Sequence, residues 1–122
     1  MTEAALTPLD VVAEMGKLGL LGVCVPERWG GAGADFVSYV LAIEEIARGD
    51  AGVANLMAAT NSPYCAAVHA FGTDTQKERW LRPAASGEAI GAILLTEPEA
   101  GSDAANLKTR AVRHGDRYRI SG

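Results

Sequence analysis

The chain has 122 residues, 48% of them hydrophobic and 21% charged, which is enough for one modest domain with its own apolar core and excludes an intrinsically disordered segment. A formal net charge of −4 at pH 7 gives no general attraction to nucleic acid or to anionic lipid. No apolar run approaches the roughly 20 residues that cross a bilayer, and residues 1–10 carry no basic stretch ahead of an apolar one, so neither a membrane span nor a secretory leader is expected.

Thr7-Pro8-Leu9-Asp10 has the make-up of a helix start: a hydroxyl cap, proline at the first helical position and an acid in the first turn. Leu9, Val12, Met15 and Leu18 then recur at helical spacing, and glycines at 16, 19 and 22 fray the end. Val23-Cys24-Val25 reads as a short extended run into Pro26. Trp29-Gly30-Gly31-Ala32-Gly33 invites a phosphate-loop reading, but it lacks both a Lys-Ser/Thr ending and a G-x-G-x-x-G pattern. A tight turn with Trp29 packed beneath it is expected instead.

Residues 35–48 form the clearest helix, with Phe36, Tyr39, Val40, Ile43, Ile46 and Ala47 on one face and Glu44, Glu45 and Arg48 at its margins. Neighbouring helical positions diverge, so Glu44 and Glu45 are expected to be solvated or ion-paired rather than a carboxylate pair sharing a proton. A break at 49–52 precedes a helix over 53–60, and Asn61-Ser62-Pro63 separates that from a helical segment over 64–70. The small residues here allow close helix contacts, or leave room for an apolar ligand chain. Thr73-x-x-Gln76 is a capping box for a helix through Trp80 and Leu81 that Pro83 is expected to end.

From Ser86-Gly87 the period changes. Residues 90–95 are apolar on both faces, which predicts a strand covered on both sides. Leu107, Thr109 and Ala111 alternate with Lys108 and Arg110, Tyr118 and Ile120 alternate with Arg117 and Arg119, and Gly115-Asp116 between them fits a hairpin turn. The expected fold is mainly α with a short C-terminal β segment: a helical unit over 1–87, then the first three strands of a β unit over 88–122.

Cys24 and Cys65 lack zinc or C-x-x-C spacing and sit among apolar neighbours. Two buried free thiols and a reducing, cytoplasmic setting are expected. His69, at a helix surface or core edge, and His114, in a turn, have no companions at ligand spacing, so no metal site is expected.

The stretch Leu95-Thr96-Glu97-Pro98-Glu99-Ala100-Gly101-Ser102-Asp103 carries the chemistry. Thr96 emerges where an apolar run ends and can hold its hydroxyl and N–H rigidly. Pro98 stiffens the exit. Gly101 allows successive N–H groups to point into one concavity, an anion cradle to which Ser102 adds a neutral donor. An acidic connection with Asp103 making a turn is the plainer alternative.

The chain resembles the acyl-CoA dehydrogenase family over nearly its whole length. Six stretches carry the likeness in the family's order: Leu18-Gly19-Leu20-Leu21-Gly22; Val25-Pro26-Glu27-x-x-Gly30-Gly31-x-Gly33; Glu44-Glu45-Ile46-Ala47-Arg48; Phe71-Gly72-Thr73-x-x-Gln76-Lys77; the 95–103 stretch; and Thr109-x-Ala111-x-x-x-Gly115-Asp116-x-Tyr118-x-Ile120-x-Gly122. The resemblance implies the family's N-terminal α domain and the start of its middle β domain, non-covalent FAD, and α,β-dehydrogenation of acyl-CoA thioesters. A glutamate takes the α proton, the flavin takes the β hydride, and electrons pass to electron-transferring flavoprotein.

Carried over residue by residue, Thr96 would bond the pyrimidine side of the flavin, Leu95 would supply backbone contacts, and Gly101 and Ser102 would meet the FAD pyrophosphate. Ser102 would also lie near the substrate's pantetheine, and Met57, Thr60 and Tyr64 would line the acyl tail. Position 93, often aromatic in the family, is Ile93 here. The family's catalytic glutamate belongs to a C-terminal helical bundle and matches no residue of this chain, and the family is homo-oligomeric. The expectation is therefore a truncated N-terminal part of such an enzyme, inactive alone. The alternative is a non-catalytic helical module for self-association or for binding an acyl-CoA or partner.

Overall fold

The structure, a computed structural model, describes residues 9–122. Thr7 and Pro8, the expected cap and first residue of the opening helix, lie outside the described residues. Helix α1 (Leu9–Lys17) buries Val12 and Met15, while Leu18 points out of that face and is exposed.

The glycine-rich loop closes on itself. The N–H groups of Ala32, Gly33 and Ala34 donate to the carbonyls of Gly22, Val25 and Val23 at 3.0, 2.8 and 2.8 Å. A short 3₁₀ turn, Glu27–Trp29, spans its tip, and Trp29 is buried beneath, as the sequence predicts. The close approach fixes Gly31: a Cβ there would fall 2.2 Å from the Val25 carbonyl oxygen.

Helix α2 (Phe36–Gly49) starts on Asp35, whose carboxylate accepts the Ser38 N–H at 2.8 Å. Its apolar face is only partly covered: Tyr39 is buried, Ile43 and Ile46 are packed at the core edge, and Phe36, Val40 and Leu41 are exposed. Helix α3 (Ala51–Ala59) begins two residues earlier than expected. Asp50 is a cap rather than a break, accepting from the Gly52 and Val53 N–H groups at 2.7 and 3.0 Å.

A wide turn, Thr60–Cys65, kinked at Ser62, leads into α4 (Ala66–Phe71). Helix α5 (Asp74–Gln76) starts on the expected capping box, with Thr73 and Gln76 bonded reciprocally. Pro83 does not end the helical path as predicted. A widened π-type turn, Lys77–Leu81, puts the proline in the first turn of α6 (Arg82–Ala85), where a missing N–H is tolerated.

Two apolar clusters result. One joins Val12, Met15, Leu21, Val23, Tyr39 and Met57. The other joins Val25, Trp29, Cys65, Leu81, Ala84 and Ala85.

The C-terminal segment departs from expectation. Residues 90–95 are not in a ladder, and Leu94 is 102% exposed. The sheet has two strands rather than three: β1 (Arg110–His114) and β2 (Arg117–Ser121), antiparallel, with Val112 opposite Arg119. Apolar composition on both faces predicts burial, but a strand also needs partner backbone, and none among the described residues lies beside 90–95. The hairpin turn falls at Gly115-Asp116 as predicted. His114, expected in that turn, is the last residue of β1.

Candidate functional site

Leu95 and Thr96 leave the unpaired run exposed. Glu97 and Ala100 then exchange backbone bonds, N–H to O=C at 3.0 and 3.2 Å, closing a tight turn whose tip is Pro98-Glu99. Ala100 is its buried anchor. The Glu97 carboxylate crosses to the start of the hairpin and accepts the N–H groups of Lys108 and Thr109 at 2.7 and 3.0 Å. The Thr109 hydroxyl and then these N–H groups hold its carboxyl below the usual glutamate range. The Glu99 carboxylate pairs with the Lys108 ammonium, and its carbonyl accepts from Asn106 Nδ2 at 3.0 Å.

Two of the segment's three acids are thus engaged with Lys108 and Thr109. The exposed N–H groups of Gly101, Ser102 and Asp103 form no hydrogen bond among the described residues. Gly101 does not have the positive φ that would require glycine. A Cβ there would meet nothing within 4 Å, so the space above it is clear. Three free donors, the exposed Thr96 and Ser102 hydroxyls and that clear space fit a phosphate-bearing cofactor.

The second predicted group lies elsewhere. Met57 and Thr60 have no exposed surface, and the Thr60 hydroxyl finds no partner among the described residues. Tyr64 is half-buried with its ring against Gly91; a Cβ on Gly91 would fall 2.3 Å from Cδ1. Burial pushes the Tyr64 hydroxyl up in pKa, with Cys65 adding to the effect. Met57 and Thr60 therefore sit in the interior while Thr96, Gly101 and Ser102 face solvent, and Tyr64 alone touches the later segment.

The sequence marks Asn61 as part of a helix break, yet it is the polar hub of the helical unit. Its Oδ1 accepts the Val23 N–H at 2.7 Å, and its Nδ2 donates to the carbonyls of Leu20 and Met57 at 2.7 and 3.0 Å. The available signal was a lone amide between two apolar helical runs. A cleft of about 170 Å³ beside it is bounded by Cys24, Val25, Asn61, Cys65, Ala66 and His69.

Both cysteines are free, but Cys24 is exposed, correcting the expectation of two buried thiols. The turn carrying Cys24 lies on the outside of the loop that buries Val23 and Val25. Cys65 is buried, its thiol 3.8 Å from the Leu21 carbonyl, and burial pushes its pKa up to about 12. Glu45 pairs with Arg48 at 2.6 Å on the surface, in line with the ion-paired reading. No helix of the described residues is long and apolar enough to cross a membrane.

Residues 1–88 match the family model described as acyl-CoA dehydrogenase, N-terminal domain. An acyl-CoA dehydrogenase of Bacillus subtilis is 44% identical over 115 residues, covering 94% of this chain and 30% of the relative. The crystal structure of glutaryl-CoA dehydrogenase from Mycobacterium smegmatis superposes with a TM-score of 0.87 at 44% identity, covering 96% of this chain and 30% of that one. An acyl-CoA dehydrogenase from Bacillus anthracis, solved in complex with FAD, gives a TM-score of 0.84 at 38% identity over 93% of this chain and 20% of its own. The chain thus spans about three-tenths or less of the length of these relatives.

Proposed function

The chain belongs to the acyl-CoA dehydrogenase family, and from that premise we propose that it supplies the FAD-gripping turn and part of the acyl-CoA site of a flavin-dependent dehydrogenase. The observation that carries this reading is the row of free N–H groups at Gly101, Ser102 and Asp103, flanked by the Thr96 and Ser102 hydroxyls.

When bound, FAD supplies the acceptor for the hydride that leaves the β carbon as the α proton is removed. The work of this chain is to bind and orient. Gly101 and Ser102 hold the pyrophosphate through neutral donors that add no charge. Thr96 fixes the flavin's pyrimidine side, and Leu95 contributes its backbone. Ser102 serves the pantetheine as well. Met57, Thr60 and Tyr64 form the wall behind the acyl tail, with Tyr64 the member nearest its surface. The proton acceptor is assigned to no residue of this chain: Glu45 is paired with Arg48 on the exterior, and Glu44 sits beside it on α2. In the proposed whole enzyme the electron acceptor is electron-transferring flavoprotein, the assembly a homo-oligomer and the setting cytoplasmic.

The 122-residue protein is expected to show no acyl-CoA-dependent dye reduction and no retained yellow colour after gel filtration. It should nevertheless respond to millimolar FAD by amide shifts confined to residues 95–103 in ¹⁵N NMR spectra. Turnover by this chain would refute the assignment of the base elsewhere, and silence of those amides would refute the grip. The unpaired run at 90–95 favours one second reading, self-association through that edge. Light scattering on gel-filtered protein decides it, since a stable monomer excludes that reading.

A further inference from the structure

The 96–103 turn could fail as an anion cradle in two ways: by collapsing, since little of it is buried, or by filling its own donors with one of its own carboxylates. A glutamate carboxylate can also bond to a backbone N–H a few residues away in its own turn, as it does in a capping box. Glu97 lies four residues before Gly101 and is a natural candidate for that self-capping. In the structure its carboxylate does something else, spanning eleven and twelve residues to the N–H groups of Lys108 and Thr109. Those bonds close the loop 97–109 at its two ends and use both carboxylate oxygens.

We propose that Glu97 is the positioning residue of the cofactor turn: its carboxylate ties the turn to the start of the hairpin and so keeps the Gly101, Ser102 and Asp103 N–H groups free for a phosphate. The inference rests on the FAD reading for the identity of that phosphate, though not for the tie itself. Three features favour Glu97 over its neighbours. A carboxylate accepting two N–H bonds is stronger than a neutral acceptor, and its depressed pKa agrees with that. Glu99 instead meets the Lys108 ammonium in an exposed ion pair, the kind that contributes little and weakens in salt. The Asn106 bond to the Glu99 carbonyl braces the loop's middle and leaves its ends untied.

Glu97→Gln tests the idea directly, because an amide offers one acceptor oxygen where the carboxylate offers two. Glu99→Gln is the control. In ¹⁵N spectra of the 122-residue protein, the Lys108 and Thr109 amide shifts should titrate together, with a midpoint below that of an ordinary glutamate. The ionisable groups sharing the recess with Glu97 are Glu99, Lys108 and, in the 122-residue protein, the terminal carboxylate of Gly122; Glu99→Gln and a C-terminal amide separate their contributions. Glu97→Gln should abolish that titration and lower hydrogen-exchange protection at both amides by about tenfold, leaving Val23 and Leu81 amides unchanged as proof of folding. The same variant should weaken the response of Gly101 and Ser102 to FAD and to inorganic pyrophosphate by about tenfold, with riboflavin, which lacks phosphate, as the insensitive comparison.

Unchanged protection and titration at Lys108 and Thr109 in Glu97→Gln overturns the tie. A lost tie with undiminished pyrophosphate response overturns its positioning role. Wild-type protein that shows the tie but no response to FAD or pyrophosphate sinks the FAD reading and the cradle while leaving the tie established.

Discussion

Residues 9–87 and 88–122 obey different rules. Thirteen of the fourteen buried hydrophobic residues among those described belong to the first region, and Ala100 is the lone member from the second. The helical unit has its packing partners within itself: α1, the glycine-rich loop, α2 and α3 meet in one cluster, and the path from Cys65 to Ala85 closes the other. The second region holds its shape mainly by hydrogen bonds, through the turn, the Glu97 tie and the hairpin ladder, with Ala100 and the Tyr64 ring against Gly91 as its points of packing. A hydrophobic pattern states that a surface is to be covered, and it does not state by what. In the first region the cover is local in sequence. In the second, the apolar side chains at 90–95 remain exposed, Leu94 fully so and Ile90, Ile93 and Leu95 in part.

The largest effect should come from truncating a side chain in the packed region. Leu81 is fully buried, so Leu81→Ala is expected to cost about 2–5 kcal/mol by urea unfolding. Leu94→Ala, a chemically identical change on a fully exposed residue, should stay within about 0.5 kcal/mol. The contrast breaks if the Leu94 variant loses more than about 1 kcal/mol, which would mean that 90–95 is covered in solution.

Asn61→Leu sharpens the comparison from the polar side. It removes an amide that satisfies the Val23 N–H and two carbonyls, stranding buried groups rather than opening a cavity. A loss of about 1–3 kcal/mol is expected, with Val23 amide exchange accelerating ahead of amides elsewhere. An exposed polar tie such as Asn106 to Glu99, removed by Asn106→Ala, should show no comparable change in the urea midpoint. A silent Asn61→Leu would show that the helical unit rests on apolar contacts alone.

What could be read from the sequence follows the same division. Caps at Asp35 and Thr73, Trp29 under its glycine loop and the Gly115-Asp116 turn were legible because each depends on residues within a few positions. The exposure of Cys24, the hub role of Asn61 and the path continuing through Pro83 were not, since each depends on contacts or helix geometry that no short window contains. At the candidate site, Thr96, Gly101 and Ser102 were legible as a donor-rich turn from their hydroxyls and glycine. That the donors are left free is decided by Glu97 reaching Lys108 and Thr109, a pairing no local pattern announces. The three-strand expectation failed for the reason the comparison gives: alternation and apolar runs report side-chain faces, whereas a strand exists through a neighbour's backbone.

The smallest expected effect separates the two cysteines, both of which lie in the packed region. Cys65 is buried and its thiol is pushed up to about 12 from an ordinary value of 9.0. Desolvation of the thiolate is the cause. Its neutral form is therefore the native form, and the unfolded chain begins to release that proton near pH 9. The stability associated with the neutral thiol is complete below that pH and is lost progressively as pH rises toward 12. Between pH 8 and 9.5 the unfolded thiol goes from about one-tenth to about three-quarters ionised, so the decline should stay below about 1 kcal/mol. Cys24, also raised but exposed, ionises with little consequence for folding. Urea midpoints across that range should fall less steeply for Cys65→Ala than for the wild type, while Cys24→Ala should match the wild-type slope. Equal slopes for all three proteins would place Cys65 in contact with water. Rapid modification of Cys65 by a thiol reagent in folded protein would do the same.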